Sequence, residues 1–258
     1  MTKLCANLSM LFNEYAFLDR FAAAAKAGFK GVEYLFPYDF DAKVISEQLK
    51  QHQLTQVLFN LPAGDWAKGE RGIAVLPDRV DEFKAGVERA IQYATVLGCK
   101  QVNVLAGIAP KDTDPAVLEA TFVSNIRYAA DRLEQAGIRL LIEAINTFDI
   151  KGFYVNGTQQ TLDLIKKSGS KNIYFQYDIY HMQRMEGELA ATIKQNLAQI
   201  AHLQLADNPG RHEPGTGEIN YPFLLNFIKE AGYQGWIGCE YNPAAETEKG
   251  LSWAKAYL

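Results

Sequence analysis

Eight short apolar segments alternate along the chain with longer stretches that have helical spacing. The apolar segments span 4–10, 31–36, 55–61, 101–107, 138–146, 172–178, 201–207 and 235–241. Three of the intervening stretches, 15–29, 78–99 and 117–137, carry apolar residues at helical spacing, and glycine lies at or near the end of each, as is common at helix C-termini. Strand-like runs that alternate with helical patterns predict parallel βαβ units.

Eight such units in 258 residues predict an α/β fold, a single (β/α)8 TIM barrel that occupies residues 1–258 as one domain. A doubly wound open sheet is the main alternative. That fold usually has a glycine-rich phosphate-binding turn after its first strand, and the sequence LSMLFNEY has none. We therefore expect no nucleotide cofactor.

Composition and charge restrict the partners. The net charge of −4 disfavours a nucleic-acid partner, because phosphate binding needs a basic surface. No apolar run approaches the length of a membrane-spanning helix, and Asn7 and Ser9 interrupt the first apolar segment, so we expect neither a signal peptide nor a membrane contact. Three scattered cysteines favour reduced thiols and a cytoplasmic location, and the sequence is compatible with a homo-oligomer.

A polar residue lies near the end of each predicted strand. These residues are Asn7, Glu33, Asn60, Asn103, Glu143, Asp178, Gln204 and Glu240. In a TIM barrel the carboxyl ends of the strands form the active site. An isolated buried carboxylate costs several kcal/mol unless it is paired or bound to a cation, so core packing does not explain this set.

Four members of the set come from the last four strands and carry side-chain oxygen atoms. They are Glu143, Asp178, Gln204 and Glu240, although the Gln204 amide can offer either its oxygen or its nitrogen. Three carboxylates at the mouth of one barrel would repel each other, and a bound divalent cation would offset this electrostatic repulsion. Hard oxygen ligands suit Mg²⁺, or alternatively Mn²⁺, better than Zn²⁺. The competing interpretation is that each carboxylate pairs with a Lys or Arg inside the barrel.

Two further groups are candidate substrate contacts. His181 follows Asp178 by three residues, and Arg211 lies in a Gly/Pro-rich loop after the seventh strand. A long glycine-rich stretch after the third strand, 61–72, contributes Glu70 and Arg71 and is a candidate lid over the barrel mouth. A capping histidine and solvated loop charges are the structural alternatives for these residues.

Two glutamates on opposite sides of a small substrate suit proton transfer between adjacent carbons. Glu143 and Glu240 come from the fifth and eighth strands, so they can face each other across the mouth. One glutamate can remove a carbon-bound proton, and a glutamate can return it at the neighbouring carbon, while a metal stabilises the enediolate between them. This pattern predicts an aldose–ketose-type isomerase with Glu143 and Glu240 as catalytic groups.

The motifs resemble those of the hydroxypyruvate isomerase family, within the xylose-isomerase-like TIM-barrel superfamily. They are NLSMLF, FPYDF, LPAGDW, GERG, LIEAIN, QYDIYHMQRMEG, ADNPGRHEPGTGEINY and GWIGCEYNP. The resemblance implies interconversion of hydroxypyruvate and 2-hydroxy-3-oxopropanoate (tartronate semialdehyde), with Glu143 and Glu240 as proton donor and acceptor. It also implies substrate binding by His181 and Arg211. Related sugar epimerases have a metal-binding histidine at the position that Gln204 occupies here.

Several alternatives stay open at this point. A 2-oxo-tetronate isomerase would act on a substrate longer by one carbon with the same acid/base pair. A sugar C3-epimerase is disfavoured by Gln204, and an abasic-site endonuclease is disfavoured by the acidic charge and the few histidines. A silent barrel that only binds a metabolite would have no need of both glutamates.

Overall fold

The computed structural model describes residues 2–258, which form eight parallel strands with helices between them. The strands are β1 (Lys3–Asn7), β2 (Gly31–Glu33), β3 (Thr55–Leu58), β4 (Gln101–Val104), β5 (Arg139–Glu143), β6 (Ile173–Asp178), β7 (Ile200–Leu205) and β8 (Trp236–Cys239). The α-helices are α1 (Arg20–Lys26), α2 (Ala42–Gln51), α3 (Val80–Leu97), α4 (Pro115–Gln135), α5 (Thr158–Ser168), α6 (Ile179–Met185), α7 (Leu189–Asn196), α8 (Tyr221–Glu230) and α9 (Thr247–Gly250).

The strands are hydrogen-bonded in the order β3-β2-β1-β8-β7-β6-β5-β4, so the first and last strands of the chain are neighbours. The gap between β3 and β4 is closed by a parallel bridge between Asn60 and Asn103. On either side of that bridge, the Asn103 N–H donates to the Phe59 carbonyl and the Leu61 N–H donates to the Asn103 carbonyl, at 3.0 and 2.8 Å. This closure confirms the predicted TIM barrel.

All eight predicted strands are present, but most of them end earlier than predicted. β1, for example, ends at Asn7 rather than at residue 10, and β5 ends at Glu143 rather than at residue 146. The apolar residues that extended the prediction are buried in the loops of the barrel mouth, as Leu8 and Ile145 illustrate. The apolar pattern therefore predicted burial correctly, but it could not predict the residue at which each strand's inter-strand hydrogen bonds end.

Most buried apolar residues form one large cluster that extends from Leu4 to Ala254, and Cys5, Val57, Leu58 and Leu141 form a second, smaller one. Within residues 2–258, no helix has both the length and the apolar character needed to cross a bilayer. The three cysteines are buried free thiols. Burial and the nearby Glu33 raise the pKa of the Cys239 thiol well above its ordinary value, which agrees with a packing role rather than a nucleophilic one.

Candidate active site

The eight polar residues at the strand ends converge at one end of the barrel. The strand pairing places Asn7 opposite Glu33 and Asp178 opposite Gln204, at the carboxyl ends of their strands. None of the eight is more than 6% exposed. So many buried polar groups need hydrogen-bond partners within the protein or a bound ligand.

A cavity of about 560 Å³ opens above this cluster. Glu143 and Glu240 line it together with His181 and Arg211, so the two glutamates from β5 and the end of β8 face one space. Its remaining walls include Asn60, Trp66, Arg71, Asp149, Tyr180 and Arg184. The volume is within the range of small-molecule sites.

Glu143 presents one free oxygen. Its Oε2 accepts a hydrogen bond from Asn103 Nδ2 at 3.2 Å, whereas its Oε1 is buried without a partner. Burial raises the pKa of Glu143 well above its ordinary value, and the negative charges of Glu240 and Asp178 raise it further. A carboxyl group of this kind binds a proton readily, as a catalytic base must.

Both carboxylate oxygens of Glu240 accept hydrogen bonds. Arg211 Nη2 donates to Glu240 Oε1 at 2.9 Å, and the amides of Asn7 and Gln204 donate to Oε2 at 3.1 and 2.5 Å. Burial raises the pKa of Glu240 to about 8, and the attraction of Arg211 partly offsets this effect. Glu240 is therefore a firmly oriented carboxyl group whose pKa lies close to neutral pH.

Asp178 and Glu143 form a donor set that fits a cation. Asp178 Oδ1 caps α6 by accepting from the backbone N–H groups of Tyr180 and His181, at 2.7 and 3.1 Å. Its Oδ2 is buried and has no partner, like Oε1 of Glu143. One ligand atom from each of Glu143, Asp178 and His181 lies within 4.8 Å of the other two. Two unpartnered buried carboxylate oxygens in such a cluster suit Mg²⁺ or Mn²⁺.

The hydrogen-bond network assigns the tautomer of His181. Asn146 Oδ1 accepts from the backbone N–H groups of Phe148 and Asp149, at 3.0 and 2.8 Å, so its Nδ2 must face His181 Nδ1, at 2.6 Å. His181 Nδ1 is therefore an acceptor, and the ring proton lies on Nε2. That atom is 3.7 Å from Glu143 Oε1 and 3.8 Å from Asp178 Oδ2, and Arg211 Nη2 lies 3.5 Å away. Burial lowers the pKa of His181 well below its ordinary value, in agreement with a neutral hydrogen-bond donor.

Arg211 reaches the cavity because its loop is built around a buried carboxylate. Both oxygens of Asp207 accept backbone N–H groups from the loop, those of Asn208, Gly215, Gly217 and Ile219, at 2.8 to 3.0 Å. The Arg211 backbone has a φ of 55°, a left-handed conformation that is uncommon for a side-chain-bearing residue. The guanidinium stacks over Tyr180 with 5.2 Å to the ring centroid and contacts Glu240.

The loop after β3 brings only one of its two predicted substrate contacts to the cavity. Arg71 lines the cavity, and its guanidinium lies 4.2 Å from the ring centroid of Trp66. Glu70 instead pairs with Arg79 at 2.8 Å, outside the cavity. The sequence-based assignment of Glu70 as a substrate contact is therefore corrected: this side chain anchors the loop to the start of α3.

Gln204 lies beside Glu240, as expected, but its amide nitrogen rather than its oxygen faces the glutamate. Its Oε1 accepts from Gln176 Nε2 at 2.6 Å. In this arrangement the oxygen of Gln204 is not directed at a cation. The ligand roles predicted for Gln204 and Glu240 therefore stay predictions, and those for Glu143 and Asp178 have supporting geometry.

Sequence reasoning passed over four residues of this site. Asn146, Asp149, Tyr180 and Arg184 form one network, in which Arg184 Nη1 contacts Asp149 Oδ1 and the Tyr180 hydroxyl at 2.7 Å each. Asn146 follows Glu143 by three residues in the same segment, which is a signal that the sequence contained. The pairing of Asp149 with Arg184 joins the loop after β5 to helix α6, and only the structure shows it.

Comparison with known proteins identifies the family. The family model described as xylose isomerase-like TIM barrel matches residues 21–257. The chain belongs to this family. Among its relatives are hydroxypyruvate isomerase of Escherichia coli (strain K12), 54% identical over 100% of both chains, and 2-oxo-tetronate isomerase of Cupriavidus necator, 47% identical over 100% of this chain and 99% of the other. The predicted reaction class, isomerisation, is thereby confirmed.

Solved structures of other proteins agree with the fold. A Brucella melitensis protein described as an AP endonuclease, family 2, is 47% identical and has a TM-score of 0.97 over 100% of this chain and 99% of that one. An L-ribulose 3-epimerase has a TM-score of 0.78 over 100% of this chain and 87% of that one. Because that epimerase is only 20% identical, the likeness shows the fold alone.

Proposed function

We propose that this isomerase interconverts hydroxypyruvate and 2-hydroxy-3-oxopropanoate, using Glu143 and Glu240 as its acid/base pair. The observation that carries the proposal is that both glutamates line one cavity of about 560 Å³. The 54% identity with a hydroxypyruvate isomerase over the full chain supports the choice of substrate.

The chemistry needs one carbon-bound proton to move between neighbouring carbons. One glutamate removes the proton from C3 of hydroxypyruvate, and the electron pair of that C–H bond forms the C2–C3 double bond of an enediolate. A proton then returns at C2 from the other glutamate, while the hydroxyl proton passes from the C3 oxygen to the C2 oxygen. The first glutamate releases its proton to solvent and the second takes one up, so both return to their starting states. The net change is an isomerisation, so no redox partner is consumed.

His181 and the two arginines suit the oxygen-rich substrate. The proton on His181 Nε2 points into the region between Glu143 and Asp178, where it can donate to a substrate oxygen that gains negative charge. Arg211 and Arg71 line the cavity and supply positive charge for the substrate carboxylate. The cavity therefore offers guanidinium groups to an anionic substrate although the net charge of the protein is −4.

A divalent cation, Mg²⁺ or Mn²⁺, is part of the proposal. Glu143 Oε1 and Asp178 Oδ2 would hold it, because both atoms are buried and have no protein partner. When bound, such an ion would stabilise the negative charge that develops on the substrate oxygens.

A side-by-side measurement of kcat/KM for hydroxypyruvate and for 2-oxo-tetronates tests the proposal, because this ratio reports discrimination in the transition state. We expect hydroxypyruvate to give the higher value. A higher value for the four-carbon acid would identify a 2-oxo-tetronate isomerase. If neither acid were isomerised, sugar epimerisation and metabolite binding without catalysis would have to be tested instead of the proposed isomerisation.

A further inference from the structure

A second buried carboxylate, Glu33, lies in the barrel interior next to Glu240. Glu33 is at the end of β2 and is 1% exposed. Its Oε2 contacts His202 Nε2 at 2.7 Å and Cys5 Sγ at 3.3 Å, and its Oε1 accepts from the amides of Asn7 and Gln204 at 3.1 and 2.9 Å. Burial raises the pKa of Glu33, but His202, Gln204 and Asn7 outweigh burial, and the net pKa is lowered. Both oxygens of Glu33 therefore act as hydrogen-bond acceptors.

Two amide groups connect Glu33 to the catalytic glutamate. The nitrogen atoms of Asn7 and Gln204 that donate to Glu33 Oε1 also donate to Glu240 Oε2, at 3.1 and 2.5 Å. An amide NH₂ has two hydrogens. Each group gives one hydrogen to Glu33 and the other to Glu240. The position of Glu33 therefore determines the orientation of both NH₂ groups toward Glu240.

Glu33 also fixes which end of the Gln204 amide faces Glu240. With the opposite orientation, the Gln204 oxygen would face the carboxylates of Glu33 and Glu240, and both contacts would be repulsive. In the observed orientation, Gln204 Oε1 accepts from Gln176 Nε2 at 2.6 Å. The Glu33 carboxylate therefore favours the arrangement in which Gln204 donates to Glu240.

The barrel leaves space for Glu33 at a specific position of β8. A Cβ atom at Gly238 would lie 2.3 Å from Glu33 Oε1 and 2.5 Å from Glu33 Oε2, far inside van der Waals contact. Glycine weakens a strand interior, because it adds backbone entropy to the unfolded chain and has no side chain to pack. Its presence two residues before Glu240 is explained by the need to admit the Glu33 carboxylate.

We propose that Glu33 is a positioning residue for the reaction, which orients Glu240 through the amides of Asn7 and Gln204. The inference rests on the proposed function of Glu240 in proton transfer. Glu33 does not line the cavity, so it acts through Glu240 rather than on the substrate. Loss of Glu33 should therefore lower kcat and leave KM nearly unchanged.

The test compares Glu33→Leu with Glu33→Gln. Leucine removes both acceptor oxygens, whereas glutamine retains one that can accept from Asn7 and Gln204 while its NH₂ faces His202. Loss of an orienting partner behind a functional group typically costs about tenfold to a hundredfold, so we expect kcat of Glu33→Leu to fall by about that factor. Neutral acceptors bind roughly half as strongly as charged ones, so Glu33→Gln should keep kcat within about fivefold of the wild type.

Cys5→Ala is the matched control. The Cys5 thiol donates its hydrogen bond to Glu33 Oε2, the oxygen that is not linked to Glu240, so its loss should leave kcat and KM unchanged. Turnover and deuterium uptake from D₂O are measured with hydroxypyruvate and with a 2-oxo-tetronate, beside the thermal unfolding midpoint of each variant. Gly238→Ala provides a second perturbation that retains Glu33 but displaces it, and we expect its kcat to fall at least tenfold.

The outcomes separate the two proposals. Wild-type kcat in folded Glu33→Leu or in folded Gly238→Ala would overturn the positioning role alone. An equal loss in Glu33→Gln and Glu33→Leu would also overturn it, because the retained acceptor would have had no effect. If Glu33→Leu does not fold, Gly238→Ala decides. Failure of the wild type to turn over or exchange either substrate would overturn the proposed function and, with it, this inference.

Discussion

Replacement of Glu240 by glutamine should lower activity and stabilise the metal-free protein at the same time. Glutamine retains the shape and one acceptor oxygen for Asn7 and Gln204, but it cannot take up or release a proton. A positioned acid or base contributes about 10²–10⁴-fold to a rate, so we expect kcat to fall by that factor. Glu88→Gln, which changes an exposed glutamate paired with Arg132, is the control and should retain full activity.

The gain in stability follows from the pKa of Glu240, which burial raises from 4.5 to about 8. Between these values the folded protein holds a proton that the unfolded chain releases, so rising pH favours the unfolded chain. At about 1.4 kcal/mol per pH unit, the penalty at pH 7 is about 3 kcal/mol. Glutamine carries no such penalty. The advantage of Glu240→Gln should be absent below pH 4.5, grow as the pH rises and level off above pH 8.

Denaturant unfolding in the presence of a chelator, at several pH values between 4 and 9, measures this difference, and NMR of hydroxypyruvate turnover measures kcat. A stability difference that did not change with pH would refute the raised pKa of Glu240. Wild-type kcat in a folded Glu240→Gln protein would refute its catalytic role.

Four other outcomes are expected. Glu143→Gln should lower kcat by about 10²-fold or more without unfolding the barrel, measured by turnover and circular dichroism; normal turnover would exclude Glu143 as an acid/base group. Removal of divalent ions should abolish most activity, and Mg²⁺ or Mn²⁺ should restore it; full activity in a metal-free preparation would remove the cation from the account. Cation affinity, measured calorimetrically, should rise with pH. Burial raises the pKa values of Glu143 and Asp178, so these groups must release their protons before they bind a cation. An affinity independent of pH would argue against these two residues as ligands. Asp207→Ala should lower the free energy of unfolding by about 3 kcal/mol and raise KM, because four backbone N–H groups of the Arg211 loop lose their acceptor. An unchanged KM would show that this loop does not contribute to substrate binding.

The fold and the main members of the site could be predicted from sequence because each leaves a local signal. Glu143 ends an apolar strand, and Asp178 and Glu240 occupy the same position in other strands, so strand counting alone places them at one mouth. The orientation of side-chain amides leaves no such signal. The sequence leaves open whether Gln204 presents its oxygen or its nitrogen, and only the neighbouring carboxylates of Glu33 and Glu240 show that the nitrogen faces them.

Loop contacts also lay beyond sequence reasoning. Glu70 and Arg71 are adjacent in the chain, yet Arg71 lines the cavity and Glu70 pairs with Arg79. The direction of each side chain depends on the turn that the loop makes, which hydrophobic periodicity does not report. In the same way, Asn146 sets the tautomer of His181 through an Asx turn whose partners are backbone groups.

Isomerisation of hydroxypyruvate in D₂O, followed by NMR at C2 and C3, tests the shared role of Glu143 and Glu240 most directly. If one glutamate removes the C3 proton and a solvent-equilibrated glutamate supplies the C2 proton, the wild-type product will carry deuterium at C2. In Glu143→Gln and in Glu240→Gln, the rate of deuterium incorporation should fall at least a hundredfold. A wild-type product that retained the original hydrogen without solvent exchange, or unchanged labelling in both folded variants, would contradict the account.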